Sequence, residues 1–301
     1  MSASMSNSDR SLAVLVAVIW GINFPAISTA LDHFSPLFLV ALRFGVLAVP
    51  TILFIPKPKV RLGWLIGFGL GFGTLQFAGL FLGIREGLPS GLASVVLQAS
   101  APMTVVLAGF WLGERITRRQ TVGILIAASG LALIAIHRSQ TAAIIPVLLV
   151  LLGAFGWAIG NICSREARPE NPLHFMMWMS VVPPLPMFAL ALLIEGPDSI
   201  WEQVRTMGTA EALPSMIGLA YVVVLATVVG SGIWTTLLKA YPATAVAPFS
   251  MLVPVTGLLS AWILLGEVAD PIELVGSAIT VCGVLFASIR RRPVALAEPL
   301  A

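Results

Sequence analysis

Gly91 to Glu114 reads GLASVVLQASAPMTVVLAGFWLGE, and Thr244 to Glu267 reads TAVAPFSMLVPVTGLLSAWILLGE. Each run is apolar and long enough to cross a bilayer. Each carries a proline near its middle with polar side chains beside it, and each ends in Leu-Gly-Glu. The second begins 153 residues after the first. A membrane span written twice, and broken at nearly the same depth both times, sets the architecture expected of the rest of the chain.

Composition agrees with a membrane protein. Hydrophobic residues make up 58% of the 301 and charged residues 10%, with a mean hydropathy of +0.97; a soluble domain carries about 25% charged residues. Ten apolar segments of spanning length can be marked, at Leu12–Ala30, Leu37–Ile55, Leu62–Ile84, Gly91–Leu112, Gln120–Ile136, Ile144–Ser164, Leu173–Ile194, Leu213–Leu238, Thr244–Leu265 and Pro271–Ile289. They lack the alternation of barrel strands, and a bilayer core offers no partner to an open backbone, so they are expected to be helices. The fold class expected is an all-α polytopic membrane protein with ten transmembrane helices. The one long connection, Glu195 to Ala212, is expected to lie on the membrane surface. Trp20-Gly21-Ile22-Asn23 has a counterpart in the second half, so the first segment reads as a helix of the mature protein rather than a signal peptide.

The formal charge of +3 does not point to nucleic acid, because the basic residues sit in short loops between apolar runs. With a cytoplasmic N-terminus, thirteen Lys and Arg fall on one side: Arg10, Lys57, Lys59, Arg61, Arg115, Arg118, Arg119, Arg165, Arg168, Lys239 and Arg290 to Arg292. Three fall on the other, Arg85, Arg138 and Arg205. Both termini are therefore expected to be cytoplasmic. Cys163 and Cys282 lie within apolar runs and read as small hydrophobes, so neither a disulfide nor a metal site is inferred. No Walker A motif and no catalytic arrangement is present, so neither an enzyme nor a direct ATP drive is expected, and no cofactor.

The repeat extends beyond the opening stretch. Leu112-Gly113-Glu114 maps onto Leu265-Gly266-Glu267, Val122-Gly123 onto Val275-Gly276 and Gly130 onto Gly283, all at an offset of 153. Thr117 and Gln120 map onto Asp270 and Glu273, each pair having the form of a capping box. Earlier in each half the offset is 136 to 138: Trp20 matches Trp157, Asn23 matches Asn161, and Ser35-Pro36-Leu37 matches Asn171-Pro172-Leu173. Two repeats result, residues 1–140 and 141–301. Five helices per repeat is an odd number, so the second repeat is expected to be inverted in the membrane. That arrangement lets two halves exchange conformations around a central site.

The prolines point to where that site lies. Pro102 and Pro254 fall roughly 18 to 20 Å from the ends of their helices, near the middle of a core about 30 Å thick. Each is expected to kink its helix and to free the carbonyl four residues earlier, on Gln98 and Ser250. Ser94 shares a face with Gln98, and Met251 adjoins Ser250 as an adaptable apolar wall. The first segment adds Trp20, Asn23 and Phe24, the sixth adds Trp157 and Asn161, and the third adds Gln76. The eighth carries Thr227, Ser231, Trp234 and Thr235 at helical spacing. Rings with a few amides and hydroxyls suit a small zwitterion. The same groups can also act as helix glue, and the prolines as structural kinks. Arg43 is the one charge well inside a span. It is a possible contact for a substrate carboxylate, the alternative being that it snorkels outward or bonds to backbone carbonyls. No Asp or Glu falls mid-span; Glu86, Glu114 and Glu267 lie at helix ends.

Trp20-Gly21-Ile22-Asn23-Phe24, Ala41-Leu42-Arg43-Phe44, Gly91 to Ala99, Gly113-Glu114-Arg115, Trp157 to Asn161, Gly230 to Trp234 and Val246 to Val255 together resemble the EamA branch of the drug/metabolite transporter superfamily. The resemblance covers nearly the whole chain and implies a ten-helix exporter of amino acids and related metabolites in the bacterial cell inner membrane. The partners expected are a small-molecule substrate and the lipid bilayer, with no nucleic acid, and a functional monomer. Facilitated export by alternating access is the reading. The alternatives are a transporter of other small metabolites or drugs, sugar-phosphate-like or cationic, and a proton-coupled antiporter.

Overall fold

A computed structural model describes residues 5–141, 144–241 and 243–288 of the chain. Among the described residues, ten helices are long and apolar enough to cross a membrane. The first five are α1 (Asn7–Leu31), α2 (Pro36–Phe54), α3 (Leu62–Arg85), α4 (Ser90–Leu112) and α5 (Arg118–Thr141). They are followed by α6 (Ile145–Ala167), α7 (Pro172–Ile194), a short helix α8 (Pro197–Thr206) and α9 (Leu213–Ala240). Two further pieces, α10a (Ala243–Ser250) and α10b (Val253–Leu265), precede α11 (Pro271–Ser288). Arg290 to Arg292, which contribute to the charge count, lie outside the described residues.

Local chemistry explains the ends. The capping boxes form: Gln120 Oε1 accepts from the Thr117 N–H at 2.9 Å, and Thr117 Oγ1 accepts from the Gln120 N–H at 3.3 Å. At the matching turn, Glu273 accepts from the Asp270 N–H at 3.2 Å and Asp270 accepts from the Ile272 N–H at 2.8 Å. Gly113 and Gly266 both take φ +67°, the left-handed closure that costs a glycine nothing. This is the physical content of the repeated Leu-Gly-Glu.

The connection from Glu195 forms α8, with Ile200 buried and Trp201 exposed. It also secures α2. Glu195 accepts from the Leu37 and Phe38 N–H groups at 2.7 and 3.0 Å, and from the Ser35 hydroxyl at 2.6 Å, placing a carboxylate on the helix N-terminus.

Packing relies on glycine, as it must where lipid tails leave close approach as the main attraction between helices. Helices α5 and α11 cross at Gly123, Gly130, Gly276 and Gly283; a Cβ built on Gly130 would lie 2.5 Å from the Gly276 carbonyl oxygen. Helices α3 and α6 meet in the same way at Gly71 and Gly156, and at Gly79 and Gly153.

Besides the breaks within α4 and between α10a and α10b, three irregularities depart from ten uniform helices. Helix α3 carries a π-helical segment at Gly69–Leu75, and α9 carries one at Tyr221–Gly230. The even spacing expected of Thr227, Ser231, Trp234 and Thr235 therefore does not hold across Gly230, because π turns are wider. Thr227 Oγ1 donates to the carbonyl of Val222, five residues back, at 2.8 Å. Helix α7 is broken between Pro172–Met179 and Pro184–Ile194. Pro183 and Pro184 mark the break, and Val182 and Pro183 pack onto Gly69 and Gly73 of α3.

Candidate functional site

Helix α4 divides into α4a (Ser90–Val96) and α4b (Ser100–Leu112), with a 3-10 turn at Leu97–Ala99 between them. Pro102 is the third residue of α4b. It has no N–H to offer the Gln98 carbonyl, and the backbone tightens at that point. In the second repeat α10a ends at Ser250 and α10b begins at Val253; Met251 and Leu252 N–H groups reach back three residues, to Pro248 and Phe249. Pro254 sits in the first turn of α10b, a position that needs no helical N–H.

The two breaks touch. Gln98 Nε2 donates to Met251 Sδ at 3.7 Å, across a sequence separation of 153. That separation equals the repeat offset read in the sequence, so the residues that meet are counterparts in that register. Met251 adjoins Ser250, whose carbonyl is the one that Pro254 cannot serve, and the proline falls one position differently in the two spans: Pro102 precedes Glu114 by 12 positions and Pro254 precedes Glu267 by 13. Ser250 is half-buried.

On one side of this contact the two helices are sealed. Ser94 is buried; its hydroxyl donates to the Gly91 carbonyl at 2.6 Å and lies 3.4 Å from that of Pro254. Gly91 faces Leu258 and Ala261, and a Cβ on Gly257 would strike Ser94, with Phe24 next to it. Glu267 finishes the seam by accepting from the Ser90 and Gly91 N–H groups at 3.1 and 3.0 Å, which caps α4a. On the other side the two helices part. Helix α4b packs chiefly on α6, while α10a keeps α1, which α10b also contacts, so the seam between α4a and α10b is not continued there.

The remaining candidates group in pairs. Trp20 and Trp234 have ring centroids 5.2 Å apart, and Trp20 Nε1 donates to the Ala226 carbonyl of the π segment at 3.0 Å. Asn161 Nδ2 donates to Thr104 Oγ1 of α4b at 3.1 Å, a partner that the sequence did not single out. Trp157 meets Phe72 edge to face at 5.8 Å, and Phe72 in turn meets Phe77 at 5.9 Å. Phe24, Gln76 and Ser231 are buried rather than set on an open wall. Among the described buried atoms, Asn23 Oδ1, Thr74 Oγ1 and Gln76 Oε1 have no hydrogen-bond partner.

Arg43 is 5% exposed. It neither snorkels nor bonds to a carbonyl: Nη2 donates to Thr227 Oγ1 at 3.0 Å, and the guanidinium stands 3.9 Å from the centroid of Phe77. Its Nε and Nη1 have no partner. Acidic groups are spent elsewhere. Glu273 pairs with Arg138 at 2.9 Å and Glu114 pairs with Arg165. No group of three or more metal-binding side chains occurs among the described residues.

Comparisons with known proteins bear on the family rather than on single residues. The sequence is 40% identical over 285 residues to a "Probable amino-acid metabolite efflux pump" of Salmonella typhimurium, covering 93% of this chain and 94% of that protein. It is 39% identical over 286 residues to a protein of the same description from Escherichia coli, with the same coverage. A "Probable terminal-alkyne amino-acid exporter" of Streptantibioticus cattleyicolor is 28% identical over 289 residues, covering 93% and 92% of the two chains. One solved crystal structure, 17% identical, shares the fold with a TM-score of 0.52 over 93% of this chain and 95% of that one. The EamA-like transporter family matches twice, at residues 10–136 and 144–289, and the chain belongs to that family.

Proposed function

We propose that this protein exports amino acids and related metabolites across a bacterial inner membrane by alternating access, as a monomer and without ATP. One observation carries the reading: the broken centres of two repeat-related helices meet at Gln98 and Met251, sealed on one side by Ser94, Gly257 and Glu267 and no longer packed on each other on the other side. Inverted repeats exchange such arrangements, so that α4b and α10a close while α4a and α10b separate. Trp20, Trp234, Trp157, Asn161 and Thr104 then supply rings, an amide and a hydroxyl to a small zwitterion near the midplane. The descriptions of the Salmonella, Escherichia and Streptantibioticus relatives support amino acids as the substrate class.

Arg43 favours a carboxylate-bearing substrate. A buried guanidinium with two unpartnered nitrogens is a costly arrangement unless a polar or anionic partner arrives. Counterflow in proteoliposomes, with unlabelled amino acids inside and a labelled one outside, tests the function. Stimulation by a subset of the panel is expected; stimulation by none rejects amino-acid export.

A further inference from the structure

Between α4b, α5 and α11 lies a cavity of about 240 Å³ whose lining includes neither Gln98 nor Met251. Its walls are Ala101, Pro102 and Val105 of α4b, Gly123 of α5, and Val284 and Ala287 of α11. Gln120 and Ser288 complete the lining at the helix ends. The cavity reaches from the first turn of α5 to Pro102, about 15 Å along α4b from its end. Val106, Phe110 and Val122 on the same helices are exposed apolar side chains, a surface that a bilayer covers.

The loop at that end is strongly basic. Arg115 and Arg118 are exposed. Arg119 is laid across α11, its Nε donating to the Phe286 carbonyl at 2.9 Å and its guanidinium 4.7 Å from the Phe286 ring centroid. The carboxylate on the same loop, Glu114, is engaged by Arg165 of α6. A slot walled mainly by Ala101, Pro102, Val105, Val284 and Ala287, with Gln120 at its rim one residue from Arg119, matches an acyl chain beside an anionic headgroup.

We propose that this cavity is a binding site for an anionic phospholipid, one acyl chain lying against Pro102 and the headgroup phosphate held by Arg115, Arg118 and Arg119. Phosphate alone does not fill it, since Ala101, Pro102, Val105, Val284 and Ala287 offer it no polar partner. A neutral lipid fills it without using the arginines.

The test relipidates the purified protein in vesicles of phosphatidylcholine and phosphatidylglycerol in equal amounts and matched in acyl chains, then weighs the retained lipid by native mass spectrometry. The wild type is expected to retain phosphatidylglycerol preferentially, and each arginine neutralised in R115Q/R118Q to lower the preference about fivefold. V105F, which fills the cavity but keeps the charges, is expected to lose the retained lipid; A101L supplies the same blockage should V105F not fold. Equal retention of the two lipids by the wild type leaves only ordinary annular lipid and overturns the proposal. So does an unchanged preference in R115Q/R118Q, or undiminished retention in the cavity-filling variant.

Discussion

Arg43 shows how a single side chain separates structural from functional readings. The Thr227 hydroxyl takes one of its nitrogens and the Phe77 ring takes its face, yet Nε and Nη1 stay unpartnered in a buried position. Arg43→Gln removes the charge but keeps much of the length. If these nitrogens bind a substrate carboxylate, the folded variant loses at least about tenfold in amino-acid counterflow, the weight of one charge-assisted hydrogen bond. Thr227→Val leaves the guanidinium in place and retains transport. Wild-type counterflow from a monodisperse Arg43→Gln protein eliminates the carboxylate role. The position of Arg43 inside a span was legible in sequence, since no other Lys or Arg falls so deep. Its partners were not, because Thr227 lies 184 residues away on a helix whose π turns shift every later side chain.

Among the elements, the α5–α11 pair is the least forgiving. A Cβ at Gly130 meets the Gly276 carbonyl oxygen and Thr280 Oγ1 at 2.5 Å, and backbone cannot yield as a flexible side chain can. Gly130→Leu is expected to cost about 3 kcal/mol or more, at or beyond the upper end of ordinary overpacking. Thermal unfolding in detergent checks this, and an unchanged midpoint would show that the two helices are not held at that crossing. The glycines were visible in the sequence as matched positions, and the contact explains why the match survives in them. The break at Leu97–Ala99 could be anticipated from Pro102, because a missing N–H acts within one turn of its own helix. The break of α7 carried an equally plain signal in Pro183-Pro184, although no site depends on it.

Across the whole molecule, the described carboxylates serve helix ends: Glu195 caps α2, Glu267 caps α4a, and Glu273 pairs with Arg138 at the start of α11. Proton coupling ordinarily draws on an ionisable carboxylate or histidine near the midplane. Facilitated export then predicts that a pH gradient imposed on proteoliposomes with equal substrate on both sides drives no net accumulation. Uphill accumulation under that gradient would establish coupling. Ten spanning segments, their duplication and the midplane prolines follow from the sequence by itself, since apolar length, residue identity at a fixed offset and the missing proline N–H are local properties of the chain. Only the tertiary structure decides that Gln98 meets Met251, that Ser94 lies in a seam, that Asn161 finds Thr104, and that Glu267 caps a helix some 176 residues earlier. Those pairings depend on how helices distant in sequence dock. A difference of one residue in where each proline falls, or of one wide turn in α9, changes which side chains meet without altering the apolar pattern that reports the spans.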